Sequence, residues 1–596
     1  MLSKDLRGRQ QLSLSRAVRR HGADNGASPP AQNQECQEMK LTSAILAALL
    51  ATSAVATLHA QEKERPIPRV VKKDGRYALL VDGAPFLMLG AQVHNSSDWP
   101  AMFPKVWPAM EYLNVNTVEI PVCWEQFEPR QGQYDYTEVD ALLTQAREHR
   151  VRLVLLWFGT WKNGSQHYMP EWMKLAPDRY PHMVDNDGNA VDSPSPYAGA
   201  SLEADKSAFS AFMRHLKAAD PQRTVIMVQV ENEAGTWGQV RDYSPQAEEL
   251  FHGPVPPEVL SAVQVNTDSR TPNWQEAFGP AAEVSFHAWS VAKYVGQVAA
   301  AGKAVYPLPL YANAALRNPL EPPTPVHYES GGPTDNVLPI WKVEAPALDV
   351  LAPDIYENDP VAYLKVLQLY HRDDNPLFVP ETGGAANARF FFSALGLQTL
   401  GFSPFGMDYT HERGDDAGDA KTREAFLTPW AMNYRLIGPM QREIARLNFE
   451  GKLQATAEEK GKPTQTLPFG AWTAVVSYGA TWNNPGHGNP EPTGRALVAQ
   501  LKDNQFLVTG FYCRVDFRPA DPSQQGMSQQ AAERAGQTPS ALIDGKRQHR
   551  MFLRVEEGAY ENGVFKFLRL WNGDETDWGL NFGAGPVVLR VSLATY

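Results

Sequence analysis

The chain has 596 residues, 43% of them hydrophobic and 20% charged, a balance that supports large buried cores and excludes a disordered polymer. Its length suggests about three to four domains, or one large barrel with an accessory domain. A formal net charge of −12, without a long Lys/Arg stripe, excludes a nucleic-acid-binding surface.

The first residues read as a leader. Met39 and Lys40 precede the uncharged run LTSAILAALLATSAVATL, which ends at His59, Ala60 and Gln61. A basic start, an apolar middle and small residues at the end make an export signal cleaved near Ala60. The polar, basic stretch before Met39 has no periodicity and points to Met39 as the true start; a long basic leader or a signal anchor is the alternative. The apolar run is too rich in Ala, Ser and Thr for a membrane span, and no other segment approaches ~20 apolar residues. The expected location is periplasmic or secreted, with no stable membrane insertion.

From about Tyr77 to Leu447, strand and helix signals alternate. The strand candidates are PFLMLGAQV, NTVEIPV, VRLVLLWF, TVIMVQVE, PLYAN, VLAPDIY, PLFVPE and LGFSPFG. Such short apolar runs without alternation fit strands buried on both faces of a parallel sheet. Helical stretches lie between most of them, including WPAMEYLN, TEVDALLTQAREHR, KSAFSAFMRHLKAAD and SFHAWSVAKYVGQVAAAG. The pattern predicts an α/β fold, a (β/α)8 TIM barrel over residues 61–450. A last long helix from Thr422 to Phe449 closes it, with Pro439 bending or splitting it.

After Leu453 the texture changes to alternating runs such as GAWTAVVSYG, RALVAQL, NQFLVTGFYCRVDF, HRMFLRVEEG, VFKFLRLWNG and PVVLRVSLA. These predict a C-terminal antiparallel β-sandwich over 451–596. The polar interruption from Ala520 to Gln548 is an inserted loop or a flap. Of the cysteines, Cys36 falls in the leader, and Cys123 and Cys513 fall in different predicted domains. A structural disulfide and a zinc site are both disfavoured, so the two are expected as buried apolar residues.

Two strands end in carboxylates. VIMVQVENEAG delivers Asn232 and Glu233, and PLFVPETGG delivers Glu381. By strand count these are the fourth and seventh of the barrel, and their C-terminal ends form the face where such barrels keep their chemistry. Two carboxyls flanking one bond are the working parts of a glycosidase, a close pair implying a retaining mechanism. The amide of Asn232 is suited to the sugar 2-hydroxyl, whose hydrogen bond strengthens in the transition state. Glu231, two residues before Glu233, faces the same side of an extended strand and is a decoy.

VQVENEAG, NTVEIPVCWEQFEPRQGQYDY and LFVPETGG together resemble glycoside hydrolase family 35, the β-galactosidases with catalytic glutamates on strands four and seven. The likeness covers about Gly75 to Leu447, and the C-terminal segment resembles an accessory β-domain of a bacterial branch of that family. The resemblance implies Glu233 as acid/base, Glu381 as nucleophile and Asn232 as the 2-hydroxyl contact. Trp161, Lys162 and Asn163 match the family segment that grips the galactose hydroxyls, although many members have Cys-Ala-Glu or Asn-Ala-Glu there. Pro121 likewise stands where many relatives have Tyr.

Tyr356, ending PDIY, is placed to hydrogen-bond the nucleophile and keep it ionised, the alternative being a rim Tyr packed under a loop. His94 and Asn95 follow the first strand and line the sugar pocket or shape a turn. Trp124, Trp157 and Phe405 supply apolar walls or core packing. Glu128 precedes Pro129 and shapes a loop. The acidic stretch from His411 to Ala420 lacks the ligand spacing of a calcium loop. No metal and no cofactor is required for hydrolysis.

These features imply a retaining exo-β-galactosidase whose partner is a carbohydrate. The bacterial branch of the family suggests plant cell-wall xyloglucan side chains as its substrate. An endo-acting glycanase and a catalytically silent sugar-binding protein are the alternatives; retention of both glutamates with Asn232 speaks against the second.

Overall fold

In a computed structural model, described for residues 65–595 apart from 266–268, 411–416, 481–485 and 521–549, the eight apolar runs become one closed parallel barrel. Its strands are β1 Met88–Gln92, β2 Thr117–Cys123, β3 Arg152–Lys162 and β4 Val225–Asn232. They continue as β5 Leu310–Ala315, β6 Val350–Ile355, β7 Val379–Thr382 and β8 Gly401–Pro404. Neighbours in sequence are neighbours in the barrel, and β8 closes on β1 with Gly401 opposite Met88. Every residue of β2 and β4 is buried, because one face meets the barrel interior and the other the helical layer.

Helices α1 Phe103–Leu113, α2 Thr137–Glu148, α3 Gly199–Ala219 and α4 Ala282–Val305 cover the first half of the barrel. α5 Leu338–Glu344, α6 Pro360–Tyr370 and α7 Phe390–Gly396 cover the second. The last helical run divides where Pro439 withholds an N–H. α8 Ala417–Ile437 ends before a single turn of tighter helix at Gly438–Met440, and α9 Gln441–Phe449 follows. The opposite end of the barrel is sealed by a three-stranded sheet over Arg69–Lys73, Arg76–Val81 and Ala84–Phe86. Leu79, Val81 and Phe86 of that sheet pack with Met88, Ile226 and Tyr311 of the barrel.

The C-terminal region forms two antiparallel sheets. Its strands are β9 Leu453–Ala457, β10 Thr464–Phe469, β11 Trp472–Tyr478, β12 Arg495–Lys502 and β13 Gln505–Phe511. β14 Cys513–Pro519, β15 Arg550–Glu561, β16 Val564–Trp571, β17 Leu580–Phe582 and β18 Val588–Thr595 complete it. One sheet runs β9-β12-β13-β18-β15-β16 and the other β10-β11-β14-β17. The run NQFLVTGFYCRVDF, which reads as one segment, crosses between the sheets at Tyr512, whose φ of 49° breaks the extended chain. Trp472, Val476, Val498, Val508, Val515 and Val591 fill the space between them.

The barrel and the β-region share a core: Leu453, Leu497, Leu507 and Phe511 belong to the same buried cluster as the barrel helices. Cys123 and Cys513 are both buried and unpaired, as expected. Among the described residues no helix is long and apolar enough to cross a membrane. The leader with Cys36, the polar interruption beyond Ala520 and most of the acidic stretch after Tyr409 lie outside the described residues.

Candidate active site

At the C-terminal mouth of the barrel, polar side chains from six strand ends converge. Gln92 comes from β1, Lys162 from β3, Asn232 and Glu233 from β4, Asn313 from β5, Asp354 from β6 and Glu381 from β7. One carboxylate oxygen each from Glu233, Asp354 and Glu381 lies within 4.8 Å of the others. The two glutamates therefore face each other across a gap that one glycosidic bond spans.

Glu381 is held from two sides. The Tyr356 hydroxyl donates to its Oε1 at 2.5 Å and the Gln92 amide to its Oε2 at 3.1 Å. Burial, then the adjacent Glu381 carboxylate, push the Tyr356 phenol far above its usual range, so the phenol keeps its proton and donates it. The residue as a whole, meanwhile, is 46% exposed at the mouth.

Glu233 sits differently. Its backbone N–H donates to Asn313 Oδ1 at 3.0 Å, and the Asn313 amide donates to Asp354 Oδ2 at 2.6 Å. Burial first, and the Glu381 charge second, raise its carboxyl to about 7, while Lys162 and a hydrogen bond with Asp354 oppose the rise. Asp354 itself is pushed well up by burial and by the two glutamates. Glu233 and Asp354 thus hold their protons to higher pH than solvated carboxyls would. The trio they form with Glu381 is the only place among the described residues where three potential metal ligands meet, and Lys162 adds a positive charge beside it.

Lys162 is 4% exposed and donates to Asn232 Oδ1 at 2.7 Å. That fixes the Asn232 amide and leaves its Nδ2, which has no partner among the described residues, free to donate to a ligand. Deeper in the barrel, Glu119 accepts from the Tyr311 hydroxyl at 3.2 Å, and burial raises it well above its usual range.

The structure corrects the expectation for Glu231. In a regular strand it would share a face with Glu233, but both residues take left-handed backbones, with φ of 60° and 45°. Glu231 therefore turns outward and accepts from the Trp161 N–H at 2.7 Å. There it lies beside Asp205 of α3, which accepts from Trp157 and Thr160 at 3.0 and 2.7 Å. Left-handed non-glycine residues cluster where geometry is over-determined by surrounding structure, as at active sites.

Two further expectations are corrected. Trp161 is buried in the layer between barrel and helices, edge-on to Tyr294 of α4 at 4.8 Å; alternation along β3 turns Lys162 inward and Trp161 outward. Asn163 is an exposed turn residue at φ 52°, its N–H tied to the Asn232 carbonyl at 3.3 Å. Trp124 and Trp157 are fully buried in the core. Glu128 accepts from Trp124 and from the Gly132 N–H at 2.8 and 2.7 Å, shaping its loop.

His94 is held at the rim. Its N–H and Nδ1 reach Asp408 at 2.7 and 2.8 Å, and its ring meets Phe405 edge-on at 5.6 Å. Burial alone would raise the Asp408 carboxyl, but its hydrogen bond and charge pairing with His94, together with Thr410, hold it well below the usual range. Asn95 is half-buried next to it, its Oδ1 without a partner among the described residues. Gln92, Asn313 and Asp354 were missed by the sequence reading. Their signal is a polar residue closing an otherwise apolar run, the same signal that marks Glu381.

Residues 98–303, which include β2, β3, β4 and Glu233, match the glycoside hydrolase family 42 model described as Beta-galactosidase. The first half of the barrel is thus similar to that glycoside hydrolase family. Residues 430–583 match a domain of unknown function, DUF5597, so the β-region carries a family description without an activity. Beta-galactosidase 14 of Arabidopsis thaliana is 29% identical over 145 residues, 23% of this chain. The match spans only 16% of that relative's length. Solved structures include the β-galactosidase of Bacillus circulans sp. alkalophilus, with TM-score 0.43 and 13% identity, covering 60% of this chain and 57% of that one. The β-galactosidase of Rahnella sp. R3 has TM-score 0.41 and 13% identity, covering 61% and 64%.

Proposed function

We propose that this chain is a glycoside hydrolase, a retaining exo-β-galactosidase acting on terminal β-D-galactosyl residues of oligo- or polysaccharides. The observation that carries the reading is the approach of Glu233 and Glu381, with carboxylate oxygens within 4.8 Å. Retaining enzymes hold their two carboxyl groups about 5 to 5.5 Å apart, and inverting ones leave a wider gap for water.

Glu381 attacks the anomeric carbon while Glu233 protonates the departing oxygen; Glu233 then deprotonates water, which releases the sugar with its β configuration. The environments suit those roles: two neutral donors hold Glu381, and Glu233 is protonated up to about pH 7. Galactose as the sugar rests on the β-galactosidase description of the matched family and on the family 35 motifs. Xyloglucan side chains, and export after cleavage near Ala60, complete the proposal.

The test is nitrophenol release from nitrophenyl β-galactoside, β-glucoside, β-xyloside and α-arabinoside, using the parent beside Glu381→Ala and Glu233→Gln. Activity confined to the β-galactoside and abolished in Glu381→Ala supports the reading. Cleavage of polymer without nitrophenol release replaces it with endo action, and binding without any cleavage replaces it with a silent binder.

A further inference from the structure

Glu329 has no role in the chemistry above, yet its surroundings have no structural use for it. It is 2% exposed, and neither of its oxygens accepts a hydrogen bond of ordinary geometry among the described residues; the Trp237 indole acts on it as a donor, but that weak pull falls short of the effect of burial. A buried carboxyl left without hydrogen bonds is costly, and native structures satisfy such groups unless a ligand does so. Among the described residues the cation acting on it is Lys162, which already donates to Asn232.

Its position is built. The loops after β4 and β5 pair as a short antiparallel bridge, with the Thr236 N–H donating to the Ser330 carbonyl at 2.8 Å and the Ser330 N–H returning to Thr236 at 3.0 Å. Glycines make room: a Cβ on Gly164 would lie 2.6 Å from Glu329 Oε1, and one on Gly235 would lie 2.4 Å from the Ser330 carbonyl oxygen. The carboxyl thereby lies against Gly164, whose N–H donates to the Glu233 carbonyl at 3.0 Å, and within range of the Glu233 and Lys162 charges. Beside it stands the Trp237 indole, 52% exposed, a flat apolar face of the kind that covers the C–H side of a sugar ring.

The geometry points to a hydroxyl-binding subsite in which Glu329 and Lys162 hold hydroxyls of one pyranose ring and Trp237 covers its face. It rests on the glycosidase reading and adds to it a specificity-determining carboxyl group from the β5 loop. The ring is the sugar being cleaved off or the one it leaves, and the substrate panel separates the two.

The experiment compares the full chain with Glu329→Gln, an isostere that keeps the fold, and with Trp237→Ala. KM and kcat are measured on nitrophenyl glycosides, which carry one sugar, and on the matching disaccharides, each also with single hydroxyls replaced by hydrogen. Glu329→Gln should lower kcat/KM about ten-fold or more on the fully hydroxylated substrate. On one deoxy analogue the penalty should shrink below about three-fold, because the interaction has been removed from both partners. A penalty on nitrophenyl glycosides places the ring on the cleaved side, and a penalty confined to disaccharides places it on the leaving side.

Unchanged kinetics in Glu329→Gln overturn the inference alone, as does a penalty indifferent to every hydroxyl. If the parent cleaves nothing, calorimetric binding of the same sugars decides. Weaker binding by Glu329→Gln, restored with one deoxy analogue, keeps the subsite although the glycosidase reading has failed. No binding by the parent overturns both.

Discussion

Tyr356 donates its hydroxyl proton to Glu381 at 2.5 Å while the residue as a whole stays open to the mouth. On the proposed mechanism the bond orients the carboxylate that attacks, and burial beside Glu381 keeps the phenol protonated. Tyr356→Phe removes one hydrogen bond to a charged group, an effect of about 1.5–3 kcal/mol, or about 10- to 100-fold in rate. The expected outcome is a fall of that size in kcat on the nitrophenyl substrate, with KM changed less, because the bond matters most as Glu381 becomes covalently engaged. A rise in KM alone would assign Tyr356 to sugar binding.

The alkaline limb of the pH profile should report Glu233. Its carboxyl is raised to about 7, so the general acid of the proposed mechanism is present below that pH and lost above it. Lys162 opposes the rise. Lys162→Gln removes a positive charge that favours the ionised form, so the alkaline limb of kcat/KM should move to higher pH even as activity falls. A limb that moves down, or stays fixed, would give the limb to another group of the carboxyl cluster.

The same strand ends show what the sequence discloses. Eight apolar runs gave the barrel because strands buried on both faces cannot hide their composition, and the glutamates after β4 and in β7 stood out as charges ending such runs. Gln92, Asn313 and Asp354 end or interrupt similar runs, but neutral amides and one more acid are common at strand ends. Only closure of the barrel shows that they touch Glu381 and Glu233. Glu231 defeated the alternation rule because two left-handed residues flank Asn232, a local conformation that no periodicity predicts. Glu329 was unreadable for another reason: it lies on a long loop and reaches the site only through the bridge between two loops.

Glu231 should separate stability from catalysis. Burial, then the Asp205 charge, hold its carboxyl well above the ordinary 4.5. The folded protein therefore binds this proton more tightly than the unfolded chain, and stability falls as pH rises above about 4.5. Glu231→Gln has no proton to lose, so its melting temperature should decline less between pH 5 and pH 8 than that of the parent. Activity below the melting range should survive in this variant and be lost in Glu233→Gln, whose carboxyl reaches the bond.

Where the barrel meets the β-region, the contact is too close and too polar to be a passive docking. Arg495 of β12, 4% exposed, donates to Asn433 of α8 at 2.7 Å and lies over the Phe511 ring at 4.4 Å. Asn433 in turn donates to the Ala388 carbonyl at 2.7 Å, just ahead of α7. α7 itself presses on β9, since a Cβ on Gly396 would lie 2.3 Å from the Ala455 carbonyl oxygen. Arg495→Ala removes the packed stem and leaves the Asn433 oxygen without its donor, for about 2–4 kcal/mol of stability. Because Leu453, Leu497 and Phe511 continue the barrel core, the parent and this variant should each unfold in one calorimetric transition, the variant at lower temperature. Removal of 451–596 should then leave the barrel unable to fold, whereas two separate transitions in the parent would show that the barrel stands without the β-region.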